Sequence, residues 1–179
     1  MTDDNSPENL RKFLESDDLA MVMMGLSMAK GSAKASNEVL GMVLGLYLFH
    51  NDKDIRSLAK TTFGKLAPSD LRKTVKNYWQ AEYRTTVWIW DGWMQKMVHD
   101  IEDAGINTTY LLARSLISPT EEVDEVKGTI LDMLGKRDLS VSHLTVRSSL
   151  KNLISTKSWG YKHRENVEAA SKIMKELDS

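Results

Sequence analysis

A chain of 179 residues, 41% hydrophobic and 27% charged, has the apolar surface for a core of ordinary size and is not disordered in composition. Its formal net charge of -1 removes any global electrostatic case for nucleic acid or an anionic membrane, and the lack of cysteine excludes disulfides and thiolate metal sites. The longest near-apolar run, Val39 to Phe49, is far shorter than the roughly 20 residues a spanning helix needs. The N-terminus is acidic and polar, without the basic start of a secretory signal, so a cytoplasmic protein is expected.

Three prolines, and ten methionines against three phenylalanines, favour helix over strand. No segment alternates at period two, and punctuation divides the chain into about nine helices. Ser6 followed by Pro7 caps the first, whose apolar face is Leu10, Phe13 and Leu14. A second starts at Ser16 or Asp17, ends near Gly31 and carries Met21, Met24, Leu26 and Met28. A third, from about Ser36 to His50, is apolar almost all round and has to be sandwiched between neighbours. Asn51 caps a fourth, with Ile55, Leu58, Ala59, Thr62, Phe63 and Leu66 as its buried stripe and Pro68 as its stop.

The stretch from Asp70 to Ala104 holds no proline and reads as one long helix, or as two joined near Arg84 to Thr86. Val87, Trp90, Met94, Met97 and Ile101 recur at intervals of three and four, and Gly105 ends the run. A helix from Asn107 or Thr108 carries Leu111, Leu112, Leu116 and Ile117. Ser118-Pro119-Thr120-Glu121 is a capping box for the next, which buries Val123, Val126, Ile130 and Met133 or Leu134. Ser142 opens another with Val146, Leu150, Leu153 and Ile154, and the last runs from near His163 to Leu177. The fold class is all-α.

The chain also repeats itself faintly. Asn51 to Phe63 reads as cap, acid, apolar, arginine, small residue, bulky apolar. Sliding back 34 residues pairs Asp52 with Asp18, Ile55 with Met21, Leu58 with Met24 and Ala59 with Gly25. A similar phrase recurs at Val146 to Leu150, and more loosely at Tyr161 to Val167. On these residues the chain resembles HEAT-repeat proteins, whose second helix reads D-x-x-[VI]-R-x-x-A-x-x-x-[LF]. Asp52, Ile55, Arg56, Ala59 and Phe63 match that line position by position. The first repeat has Val22 in place of the arginine, and the Val146 phrase has His143 in place of the acid. The resemblance implies a short right-handed α-solenoid of stacked antiparallel helix pairs, one domain over 1–179. Two HEAT-like pairs would fill 1–67 and a divergent helical half 68–179. It also implies that the small residue admits close helix approach, and that the acid and the arginine pair between neighbouring repeats.

Trp88-Ile89-Trp90-Asp91-Gly92-Trp93 is the most unusual segment. At about 100° per residue Trp90 falls in the core stripe, Trp93 at its edge and Trp88 on the opposite face. Trp88 is then either an exposed binding anchor or a residue covered by a neighbouring helix. Some HEAT-like proteins are alkylpurine DNA glycosylases, which use tryptophans and an aspartate on a basic concave face. By that resemblance Trp88, Asp91 and Trp93 would take those parts. The charge opposes it: from Met97 to Gly135 eight acids stand against two basic residues, whereas phosphate contacts need clustered Lys and Arg.

The stretch that follows is its complement. Lys136, Arg137, Arg147, Lys151, Lys157, Lys162 and Arg164 face Asp138 alone, with Trp159, Tyr161 and His163 interleaved. Such a mixture suits stacking on bases or gripping an acidic partner, while adjacent blocks of opposite sign favour neutralisation inside the fold. His50, His99, His143 and His163 are scattered and show no metal-ligand spacing. Gly41 and Gly45 allow close helix approach, and Met21, Met23, Met24, Met28 and Met42 are expected to fill core gaps beside Gly25, Gly41 and Gly45.

No phosphate loop, nucleophile elbow or dinucleotide glycine motif is present. The expected protein is a non-enzymatic interaction or scaffold module, with no cofactor, metal or membrane implied. Trp88, Asp91, Trp93, Trp159, Tyr161, Lys162 and Arg164 are the contact residues for a protein partner. The alternative is a nucleic-acid-binding or DNA-repair protein that uses the basic, aromatic C-terminal segment.

Overall fold

The computed structural model describes residues 6–78, 87–117, 124–140 and 143–179, with side chains for all of these except 87–94. Among them it is helical without a strand: α1 (Pro7–Leu14), α2 (Leu19–Gly31), α3 (Asn37–Phe49), α4 (Lys53–Leu66), α5 (Ser69–Tyr78), α6 (Val87–Asp103), α7 (Thr109–Leu116), α8 (Asp124–Gly135), α9 (His143–Ser155) and α10 (Tyr161–Asp178). The joint expected at Arg84 to Thr86, the capping box at Ser118 to Glu121 and the start at Ser142 lie outside the described residues. None of the described helices is long and apolar enough to cross a membrane.

Local chemistry sets the boundaries. Ser6, Asp18, Ser36 and Asp52 each accept a hydrogen bond from the first turn of α1, α2, α3 and α4, satisfying N–H groups that have no partner inside the helix. The cap of α4 is thus Asp52 and not Asn51, because the Asp52 carboxylate reaches both Asp54 N at 2.9 Å and Ile55 N at 3.0 Å. Gly105 closes α6 as expected, at φ +86°. Its N–H donates to Glu102 O and the Ile106 N–H to Ile101 O, the two bonds of a Schellman closure.

α3 is the hub. Ten of its 13 residues are buried, as an all-round apolar helix requires, and it packs on α1, α4 and α7. Two lines of contact run through the molecule. One links α1 to α3, α3 to α7 and α7 to α9; the other links α2 to α4, and α6 to α8 to α10. Rungs join them at α1 with α2, α3 with α4, α7 with α8 and α9 with α10, and α5 packs against α6. Glycine lets α3 meet α7: a Cβ on Gly41 would lie 2.2 Å from Asn107 O, and one on Gly45 2.6 Å from the Tyr110 ring. The buried apolar side chains form one cluster from Leu10 to Ile173.

The residues of the repeat phrase have identifiable tasks. Ile55, Ala59 and Phe63 are buried, and Arg56 donates to His50 O at 2.7 Å and to Asn51 O at 2.8 Å. The acid and the arginine therefore do not form the expected ion pair. Asp52 holds the N–H groups of its own helix, and Arg56 satisfies carbonyls left open where α3 ends.

The first repeat keeps the cap but turns its buried face. Val22, the fourth residue after Asp18, does what Ile55, the third after Asp52, does in α4. Met21 and Met24 are consequently 38% and 52% exposed, which corrects their expected place in the core. Met42 is buried, and Met23 and Met28 are half-buried against the cluster.

Candidate binding sites

Of the residues expected to make contacts, Trp159, Tyr161, Lys162 and Arg164 come together at the turn between α9 and α10. Residues 155–160 are all exposed, with Trp159 at 98% and Tyr161 at 71%. The Arg164 guanidinium lies 5.8 Å from the Tyr161 ring centre, a cation–π distance. Lys162 pairs with Glu165 at 3.2 Å. Two residues that composition grouped with this surface, or overlooked, brace it from inside. His163 is buried and its Nε2 sits 3.0 Å from Thr156 O, and Asn166 donates to Asp124 O at 2.8 Å. His163 is thus part of the support and not of the exposed face.

The side chains of Trp88, Asp91 and Trp93 lie outside the described residues; only their backbone, in α6, is described. Further along that helix Met97 and Ile101 are buried as the period required, and His99 is exposed beside Asp103 at 3.4 Å. Among the described residues no cluster of three metal-ligating side chains forms. Among the described residues the acidic and basic blocks meet in two ion pairs. Arg137 pairs with Glu102 and Lys136 with Asp132 at 2.9 Å, whereas Arg147 pairs with Asp178 near the end of the chain. Neutralisation inside the fold is partial.

A second site was not legible in the sequence. A cavity of about 390 Å³ opens among α1, α3, α7 and α9. The residues that end α1, α3 and α7, namely Glu15, His50 and Ile117, all line it. Across it the Thr145 hydroxyl donates to Glu15 Oε1 at 2.8 Å and ties α9 to the end of α1. Tyr110 Oη donates to Leu14 O at 3.3 Å. Burial pushes the Glu15 carboxyl above its ordinary range, and the hydrogen bond from Thr145 holds it back.

His50 is held neutral. Burial first, and then the Arg114 charge, lower its pKa to about 4. Its Nδ1 accepts from the Asp52 N–H at 2.9 Å, which leaves the ring proton on Nε2. Arg114 itself is the one residue of α7 that is not buried; the other seven are. It makes no ion pair with any described residue, and its Nε is buried without a hydrogen-bond partner. Ser149, on the α9 wall of the same cavity, is fully buried, and its hydroxyl also lacks a partner.

No protein-family model, no curated protein and no solved structure matches this chain.

Proposed function

We propose that the chain is a non-enzymatic interaction module, a short HEAT-like solenoid that presents the α9–α10 turn to an acidic segment of a protein partner. The observation that carries this reading is Trp159, almost wholly exposed beside Tyr161 on a turn braced by His163. The turn that carries the indole is fixed, so little backbone entropy is lost on binding, and Lys157 and Arg164 put positive charge beside it. The solenoid part of the reading is supported by the pairs of second neighbours that pack together, α1 with α3, α2 with α4, α6 with α8, α7 with α9 and α8 with α10; the seating of α3 on α7 departs from that order. A right-handed superhelix is part of the same proposal.

Protein is favoured over nucleic acid because four of the seven basic residues of the segment, Lys136, Arg137, Arg147 and Lys162, already have carboxylate partners. That leaves few cations for phosphates. The test is a photo-crosslinking residue at position 159, with position 168 on α10 as control. A discrete adduct at 159 that Tyr161→Ala and Arg164→Glu both diminish supports the reading. Indistinguishable products at 159 and 168 refute it. A gel shift with single-stranded DNA at about 50 mM salt, abolished by Trp159→Ala, would favour the nucleic-acid reading instead.

A further inference from the structure

Three buried side-chain polar atoms among the described residues have no hydrogen-bond partner: Glu38 Oε1, Arg114 Nε and Ser149 Oγ. Glu38 Oε1 at least lies 2.7 Å from the Arg11 guanidinium. The other two belong to Arg114 on α7 and Ser149 on α9, residues that line one cavity, with the orphan atoms themselves covered while it is empty. Both are donors, one of them charged. A folded chain that leaves a cation unpaired and a hydroxyl unsatisfied at the same place lacks an acceptor there, since each orphan group is costly by itself.

We propose that this cavity binds a small carboxylic acid, with the Arg114 guanidinium as the partner of its carboxylate and the Ser149 hydroxyl as a second donor. Arginine presents its N–H groups in a planar fork that matches a carboxylate. The neutral His50 ring, with its proton on Nε2, adds a donor to the lining without adding charge. The volume of about 390 Å³ suits a small molecule. Charge decides between carboxylate and phosphate. Among the described lining residues Lys12 and Arg114 offset Glu15 and Asp17, with His50 neutral. A monocarboxylate therefore adds one uncompensated negative charge, and a phosphate dianion two. This site is independent of the Trp159 turn, so neither inference depends on the other.

The full chain is titrated with sodium acetate, sodium succinate and inorganic phosphate against sodium chloride of equal ionic strength, following the Arg114 Nε–H and Ser149 amide resonances. Saturable shifts with acetate or succinate, and none with chloride, are expected. Phosphate should bind several-fold more weakly than acetate. Arg114→Gln, checked for a native spectrum, should weaken carboxylate binding by at least about tenfold, and Ser149→Ala by a few-fold. No saturable shift with either carboxylate overturns the proposal. So does equal binding by Arg114→Gln, which would place the probe elsewhere, or phosphate binding as tightly as acetate, which would make the site a general anion site.

Discussion

Replacing Arg114 by methionine should make the unliganded protein more stable. A buried donor without a partner costs about 1–3 kcal/mol, and more when the group is charged. Two effects oppose the gain. A cation in the last turn of α7 is favoured by roughly 0.3–1 kcal/mol, and the arginine stem covers apolar surface. Methionine retains most of that cover, so the unsatisfied Nε–H decides and the net gain is about 1 kcal/mol. In a chain of this length that raises Tm by about 2–4 °C. Urea titration should show a higher midpoint at unchanged slope. Arg137→Met is the control, because Arg137 bonds both Glu102 and Met133 O at 3.2 Å. Its loss leaves a half-buried carboxylate short of a partner and should destabilise by about 1–2 kcal/mol. If Arg114→Met destabilises as much as Arg137→Met does, Arg114 is a structural residue and the argument for a ligand is wrong.

Gly41→Ala should cost about 3 kcal/mol in denaturant titrations, because its methyl would meet the Asn107 carbonyl at 2.2 Å and α3 cannot stay on α7; Gly64→Ala, with open space around it, should instead gain about 0.5 kcal/mol. Trp159→Ala should leave stability within about 0.5 kcal/mol of wild type, since the indole touches little of the fold; a larger loss would mean that the ring is packed. His50 refuses a proton down to about pH 4 in the folded chain but accepts it near 6.5 when unfolded. Its contribution is complete above pH 6.5 and falls as the pH drops towards 4, by about 2 kcal/mol after screening at its open side is allowed for. Chemical denaturation at pH 7 and 4.5 checks this: His50→Asn, which keeps an acceptor for Asp52 N–H, should lose less stability between the two than wild type.

Where local chemistry decides, the sequence was readable. The cap at Ser6, the closure at Gly105 and the all-round burial of α3 each follow from one residue type or one pattern, and each is found, whereas the caps expected at Ser16 or Asp17 and at Asn51 fall on Asp18 and Asp52. Residue patterns misled where tertiary packing chooses the face. α2 is apolar on most sides, so its composition does not say whether Met21 or Val22 turns inward, and the repeat phrase pointed to the wrong one. The cavity was invisible for a different reason. Glu15 and His50 cap the ends of α1 and α3, Arg114 and Ser149 lie in α7 and α9, and nothing in their own neighbourhoods marks them. His50 looked like a scattered histidine and Arg114 like a minor cation inside an acidic stretch.

What brings these residues together is the close seating of α7 on α3. Gly41 and Gly45 remove the side chains that would hold the two helices apart, and α7 then sinks until every residue but Arg114 is covered. A helix of eight residues so enclosed has one outlet for a polar side chain, and that outlet faces the ends of α1 and α3. Interiors packed at this density do not readily collapse around an unpaired group, so the cavity keeps its shape when empty. Stability is therefore given up at one place, Arg114 with Ser149, while the surrounding helices are tightly packed and capped. Gly45→Ala separates the cavity from the rest of the fold: forcing the Tyr110 ring aside should weaken carboxylate binding in the same titration. It should leave the braced turn at Trp159, and any partner captured there, unaffected.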